Sequence, residues 1–146
     1  MKTMFNSRDV AALKERLGRL TVDSKPKWGS MSVSQMVCHL YDQLRYALAF
    51  QGEVKVMDGP NMFMRHLIRL YLPWPKGART VKEMMITSPE SLEGDIERLM
   101  ALMDDFFHAS GQKQWAVHPF FGPLNGKAWA KLGWRHTDFH LKQFGV

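Results

Sequence analysis

A single cysteine, Cys38, is all the thiol this sequence carries. One thiol closes no internal disulfide, so a reducing, cytoplasmic setting is the simpler expectation. Long hydrophobic runs are also missing. The most apolar segment, Asn61 to Trp74, is interrupted by Arg65, His66 and Arg69 and is too short and too charged to span a bilayer. Met1 to Asp9 is polar and lacks the apolar stretch of a signal peptide. Internal repeats, low-complexity tracts, zinc-finger spacings and RNA-binding aromatic motifs do not occur. Acidic residues are scarce, 14 against 20 lysines and arginines, for a net charge of +6. That excess permits an anionic partner, but the basic residues are spread along the chain. Lys127, Lys131, Arg135 and Lys142 share one side of the last helix and read as a solvated face, so nucleic acid is not expected.

What remains is a globular composition. The 146 residues are 45% hydrophobic and 23% charged, enough for one domain over residues 1–146 with a real core. Val10, Leu13, Leu17 and Leu20 repeat at helical intervals and predict a first helix from about Ser7 to Leu20, capped by Asn6 or Ser7. Ser32-Val33-Ser34-Gln35 fits a capping box and opens a second helix to about Phe50. Gly52 to Thr87 reads as one long crossover with a short helix inside it, starting at Pro60 and ending near Leu72. Ser88-Pro89-Glu90 predicts the next helix start, and that helix runs to about Ala109. Gln112 to Asn125 is an aromatic-rich loop, expected to be packed or to line a site. The last helix runs from near Asn125 to Phe144. Four amphipathic helices without a convincing strand predict an all-α bundle, and the long connections exclude a simple up-down arrangement.

The last helix carries the chemistry. His136 and His140 stand four residues apart. On a helix that places them roughly 40° apart around the axis and about 6 Å along it, the spacing of two metal ligands on one face. They share a stripe with Trp129, Leu132, Gly133, Phe139 and Gln143, so both point where the helix buries itself. A buried imidazole needs a partner for each ring nitrogen. Two core histidines bonded to backbone or carboxylate would satisfy that need; a shared metal ion satisfies it more directly. On the second helix His39 flanks the core stripe, at a position suited to a cleft wall, with Gln43, Tyr46 and Phe50 on the same side. Cys38 lies a further step round that helix, facing away from the core, and reads as an incidental thiol.

Several motifs together carry a resemblance. They are Met31-Ser32-x-x-Gln35-Met36-x-x-His39, Leu72-Pro73-x-Pro75-Lys76-Gly77, His118-Pro119-x-Phe121-Gly122, Trp129, His136-x-x-x-His140 and Gln143-Phe144-Gly145. From Ser7 to Gly145 the chain resembles the DinB-like (YfiT-like) superfamily of metal-dependent four-helix bundles, in a branch of unknown function. The resemblance implies a divalent metal held by His39, His136 and His140; zinc or nickel is the first expectation for it and manganese or iron the next. It also implies a homodimer and, from some relatives, chemistry on low-molecular-weight thiols or thiol adducts.

Three imidazoles leave at least one metal position open, where water is acidified or a thiol is held as thiolate. The chain supplies no nucleophile of its own there, so a reacting thiol would arrive as a small-molecule cosubstrate. Joined to the thiol chemistry that the resemblance implies, this makes a metal-dependent thiol S-transferase-like enzyme the first expectation. A noncatalytic metal-binding or interaction protein is the second, and a metal-activated hydrolase the third. Ligand histidines need partners for their other nitrogens. Gln143 shares the stripe of His136; Gln43 and Tyr46 flank His39; all three would otherwise make ordinary interhelix hydrogen bonds. His118 could approach from its loop, although anchoring a turn suits it better. Ala130, Trp134 and Leu141 form a second apolar strip, to be covered by a partner subunit or by the Gly52 to Thr87 crossover.

Overall fold

The computed structural model describes residues 1–49, 52, 54–74, 76 and 82–146. Phe50, Pro75, Gly77 and most of the segment before Lys82, on which parts of the sequence reading fell, lie outside the described residues. The described chain is mostly helical, with five α-helices: α1 (Ser7–Leu17), α2 (Val33–Ala49), α3 (Met62–Leu70), α4 (Leu92–His108) and α5 (Gly126–Gln143). Single 3-10 turns stand at Lys82–Met84 and Ala109–Gly111. Within the aromatic loop, β1 (Val117–His118) pairs antiparallel with β2 (Gly122–Pro123). This ribbon was not expected, because two residues a side are too short to show a period of two. No described helix is long and apolar enough to cross a membrane.

The helix starts follow side-chain chemistry. Asn6 accepts from the Asp9 amide and caps α1. The Ser32–Gln35 box closes in both directions: Ser32 Oγ accepts from the Gln35 amide at 3.2 Å and Gln35 Oε1 from the Ser32 amide at 2.8 Å. Asn125 caps α5 through the Ala128 amide. Two starts differ from expectation. α3 starts after its cap Asn61 and not at Pro60, and Ser91, not Ser88, caps α4. In each case the side chain that reaches an amide three residues on sets the start, Asn61 to Met64 and Ser91 to Gly94. At its other end α1 stops at Leu17, three residues early, with Leu20 held by a turn to the Leu17 carbonyl.

Helix α2 packs against α4 and α5, α1 against both of those helices, and α3 against α5. Trp129, Phe106, Leu13, Leu40, Leu44 and Leu99 are among the fully buried side chains. Because α2 is enclosed on several sides, eleven of its residues are buried, Cys38 among them. The outward-facing reading of Cys38 is thus corrected: its thiol sits 3.7 Å from the Asp95 carboxylate. A single-stripe reading fails for a helix covered nearly all round. The strip on α5 is covered too, and by neither expected agent. Ala130 and Leu141 are fully buried, the Met4 amide donates to the Ala130 carbonyl, and the Trp134 indole donates to the Asp9 carbonyl with Lys2 over its ring. The chain's own first residues and α1 do the covering.

Candidate metal centre

Gly133 sets how closely α5 approaches α2. A Cβ there would stand 3.0 Å from Leu44 Cδ2 and 3.4 Å from Met4 Cγ, so a larger residue would push the helices apart. With that approach, His39 of α2 meets His136 and His140 of α5. The Nε2 atoms of His39 and His136 are 3.1 Å apart, and those of His136 and His140 3.2 Å. Ring centroids lie 4.6 to 5.0 Å from one another with planes nearly perpendicular. The ligand-type atoms of all three lie within 4.8 Å of one another and could hold a metal ion. For nitrogens at about 2.0–2.1 Å from zinc, separations of 3.1 and 3.2 Å correspond to angles of roughly 100° at the metal.

The hydrogen bonds behind the rings fix where the protons are. His39 Nδ1 lies 3.0 Å from the Met84 carbonyl oxygen, which only accepts, so Nδ1 carries the proton. His140 Nδ1 lies 2.7 Å from Gln143 Oε1, while the Gln143 amide nitrogen donates to the Trp28 carbonyl at 2.5 Å. That second bond orients the amide, so His140 Nδ1 is a donor as well. Both neutral rings therefore aim a bare Nε2 lone pair at Nε2 of His136. The His136 ring has one proton for its two nitrogens, and its buried Nδ1 has no partner. If Nδ1 holds that proton, three lone pairs converge. If Nε2 holds it, one proton serves two acceptors and Nδ1 is left bare. Either way the protein's own groups leave this cluster under-satisfied; a cation bound by the three Nε2 atoms would take up the converging lone pairs, with His136 Nδ1–H still without a partner.

Protonation does not supply that cation. Burial pushes all three rings below the ordinary histidine range, His140 to about 4, and the neighbouring imidazoles push His136 and His140 further. An edge of His136 still reaches the surface, although its Nδ1 is sealed. At neutral pH the cluster is three neutral imidazoles, the form in which histidine binds metals.

The remaining sequence candidates fall in different places. Gln143 supports a ring nitrogen as expected, but that of His140 and not of His136. Its position depends on Gly29, which has φ +80° and whose Cβ, if present, would come within 2.7 Å of Gln143 Nε2. Gln43 is buried with an unpartnered Oε1. The Tyr46 hydroxyl donates to the Val117 carbonyl at 2.9 Å and ties α2 to the ribbon. His118 anchors its turn by accepting from the Phe120 and Phe121 amides at 3.0 and 3.1 Å, and burial pushes it down to about 3. Sequence reasoning missed Asp42. It is fully buried and accepts from the Ile86 and Thr87 amides and the Thr87 hydroxyl, which clamps the segment carrying the Met84 carbonyl onto α2. Its only signal was an acid inside a helix lined with apolar residues.

Trp74 lies 5.8 Å from the His136 ring and 5.7 Å from Phe139, and Trp28 lies 5.6 Å from Phe139. Arg135 and Lys76 sit over the two indoles. Among the described residues no carboxylate or thiol joins the histidines. Burial and the adjacent Asp95 push the Cys38 thiol up to about 11, which leaves it inert at neutral pH. A broad surface cleft against Gln112, Trp115 and Asn125 touches none of the three rings. Residues 5–145 match a family model described as "Protein of unknown function (DUF1569)". No curated protein and no solved structure matches the chain.

Proposed function

We propose, for a chain that belongs to the family described as protein of unknown function (DUF1569), that His39, His136 and His140 hold one divalent metal as a resident cofactor. The observation that carries this reading is the pair of bare Nε2 atoms, fixed by Met84 and Gln143, aimed at a third imidazole nitrogen. Zinc or nickel suits three imidazoles best, with manganese or iron behind them. The DinB-like four-helix bundle formed by one domain over residues 1–146 belongs to the same proposal. The mutual packing of α1, α2, α4 and α5 supports it. A cytoplasmic home, in keeping with a single thiol, is part of the same proposal.

When bound, the metal supplies an open position that acidifies water or holds a thiol as thiolate. The chain's contribution is to fix the ligand tautomers, wall the site with Trp74 and Phe139, and keep its own thiol out of reach. We propose that a low-molecular-weight thiol or thiol adduct is the substrate, in transferase-like chemistry. The lack of a fourth protein ligand among the described residues and the inert Cys38 support this. Noncatalytic metal binding is the competing reading, and the depth of His39 and His140, 4% and 6% exposed, favours it. Cobalt substitution separates the two. In the catalytic reading, thiols titrated into the cobalt protein produce charge-transfer absorption that water does not, and a His39→Ala control stays silent. A cobalt spectrum indifferent to every thiol would remove the thiol reading and leave the metal.

Homodimerisation is also proposed, on a different surface from the α5 strip. Met62, Phe63 and Tyr71, on α3 and just past its end, are 75%, 70% and 65% exposed, an apolar face that a second copy would cover.

A further inference from the structure

Helix α3 turns its arginines inward. Arg65 and Arg69, one turn apart, face the protein while Phe63 and Tyr71 face out. With His66, Leu124, Asn125 and Ala128 they line a groove of about 220 Å³ between α3 and the start of α5. Arg69 is only 7% exposed. Its guanidinium donates to the Ala128 carbonyl at 3.3 Å and stands 3.2 Å from His66 Nδ1, and among the described residues no carboxylate pairs with it. Arg65 is committed to backbone carbonyls, those of Pro60, Met57 and Phe120, and likewise has no acid among the described residues.

A buried cation without a counter-charge is costly, and its cost falls when an anion reaches it. Burial holds the Arg69 guanidinium below its ordinary range, the signature of a charge missing its partner. The first turn of α5 borders the same groove through Asn125, which caps the helix by accepting from the Ala128 amide, and through Ala128 at its third position. Two arginines thus face the groove with no negative group among its described lining residues. The volume lies below the roughly 300 Å³ at which pockets for drug-sized ligands begin, so a headgroup fits better than a whole large ligand. Along α5, Ala128 precedes His136 by eight residues, about 12 Å at 1.5 Å per residue, so the groove is separate from the histidine cluster.

We infer that this groove binds a small oxyanion, the phosphoryl or carboxylate end of a metabolite, with Arg69 as its principal contact. The site stands independently of the metal.

Thermal melts of the full chain, first as purified and then after chelation so that anions on a metal are excluded, test it. Inorganic phosphate and acetate are titrated separately against chloride at constant ionic strength. Phosphate, acetate or both should raise the melting temperature saturably, because a ligand bound only by the folded state stabilises it; the arm that responds names the headgroup. Arg69→Gln should abolish the response while retaining the metal content of the parent. Ala128→Glu places a carboxylate at the favourable third helix position beside Arg69. It should melt higher in chloride buffer without phosphate or acetate and respond at least tenfold more weakly. If Arg69→Gln fails to fold, Ala128→Glu alone decides. An unmodified chain indifferent to both anions overturns the site, and so does an Ala128→Glu protein that responds like the parent.

Discussion

At the scale of residues, the cluster predicts unequal losses. His136→Ala and His140→Ala should each abolish stoichiometric metal binding, because three single-atom ligands leave no redundancy; elemental analysis of the purified variants checks this. Full retention in either variant would make the pair structural. The groups behind the ligands should matter less but measurably. Gln143→Leu frees the His140 tautomer, and Asp42→Ala releases the segment that holds the Met84 carbonyl against His39. Each should weaken metal binding by about 10- to 100-fold, the usual effect of removing a ligand's hydrogen-bond partner. Competition with a chelator of known affinity reads that loss. An Asp42→Ala protein with unchanged affinity would show that the Met84 carbonyl needs no clamp.

Between elements, the closeness of α5 to its neighbours governs the site. Gly29→Ala puts a Cβ against Gln143 and forces a left-handed backbone on alanine, while Gly133→Val drives α5 off Leu44. Both should leave a folded helical protein, by circular dichroism, with impaired metal uptake; uptake equal to the parent's in both would show that α5 tolerates displacement. This scale also shows what the sequence could disclose. The four-residue spacing of His136 and His140 and the stripe they share were readable, because helical periodicity needs only local sequence. So was the Ser32–Gln35 box, a four-residue signal. Met84 was not readable: it contributes a backbone carbonyl, which any residue has, to a ring 45 positions away. Cys38 was misplaced for a related reason. Periodicity finds one buried face and cannot say that a helix is covered on several.

For the whole molecule, acid should act through the histidines. His118 is pushed down to about 3 and His140 to about 4, with His39 and His136 also lowered, against about 6.5 in the unfolded chain. These cations are disfavoured in the fold, so unfolding takes up protons below pH 6.5. Their contribution to stability is complete above about 6.5 and is lost as pH falls toward 4 and then 3, at up to roughly 1.4 kcal/mol per pH unit for each ring. Urea midpoints of the chelated protein, measured from pH 7 to 4, should decline through that window. A flat profile would mean that the rings titrate freely. Light scattering at micromolar concentration should give twice the chain mass, and Phe63→Asp should return it to the monomer; a parent already monomeric would refute the α3 interface.

The histidines that meet are far apart in the chain, His39 and His136 being separated by 97 positions. An ion gripping both would close a loop that a chain with one cysteine cannot tie by itself. For a loop of about 100 residues, a covalent tie removes roughly 4.7 kcal/mol of unfolded-state freedom in the chain-entropy account. A coordination bond is reversible, so this knot can be undone by a chelator. Amide hydrogen exchange should then show α2 and α5 slowing together when metal is added, even where their amides are remote from the rings, while the turn at Thr21–Ser24 exchanges as before.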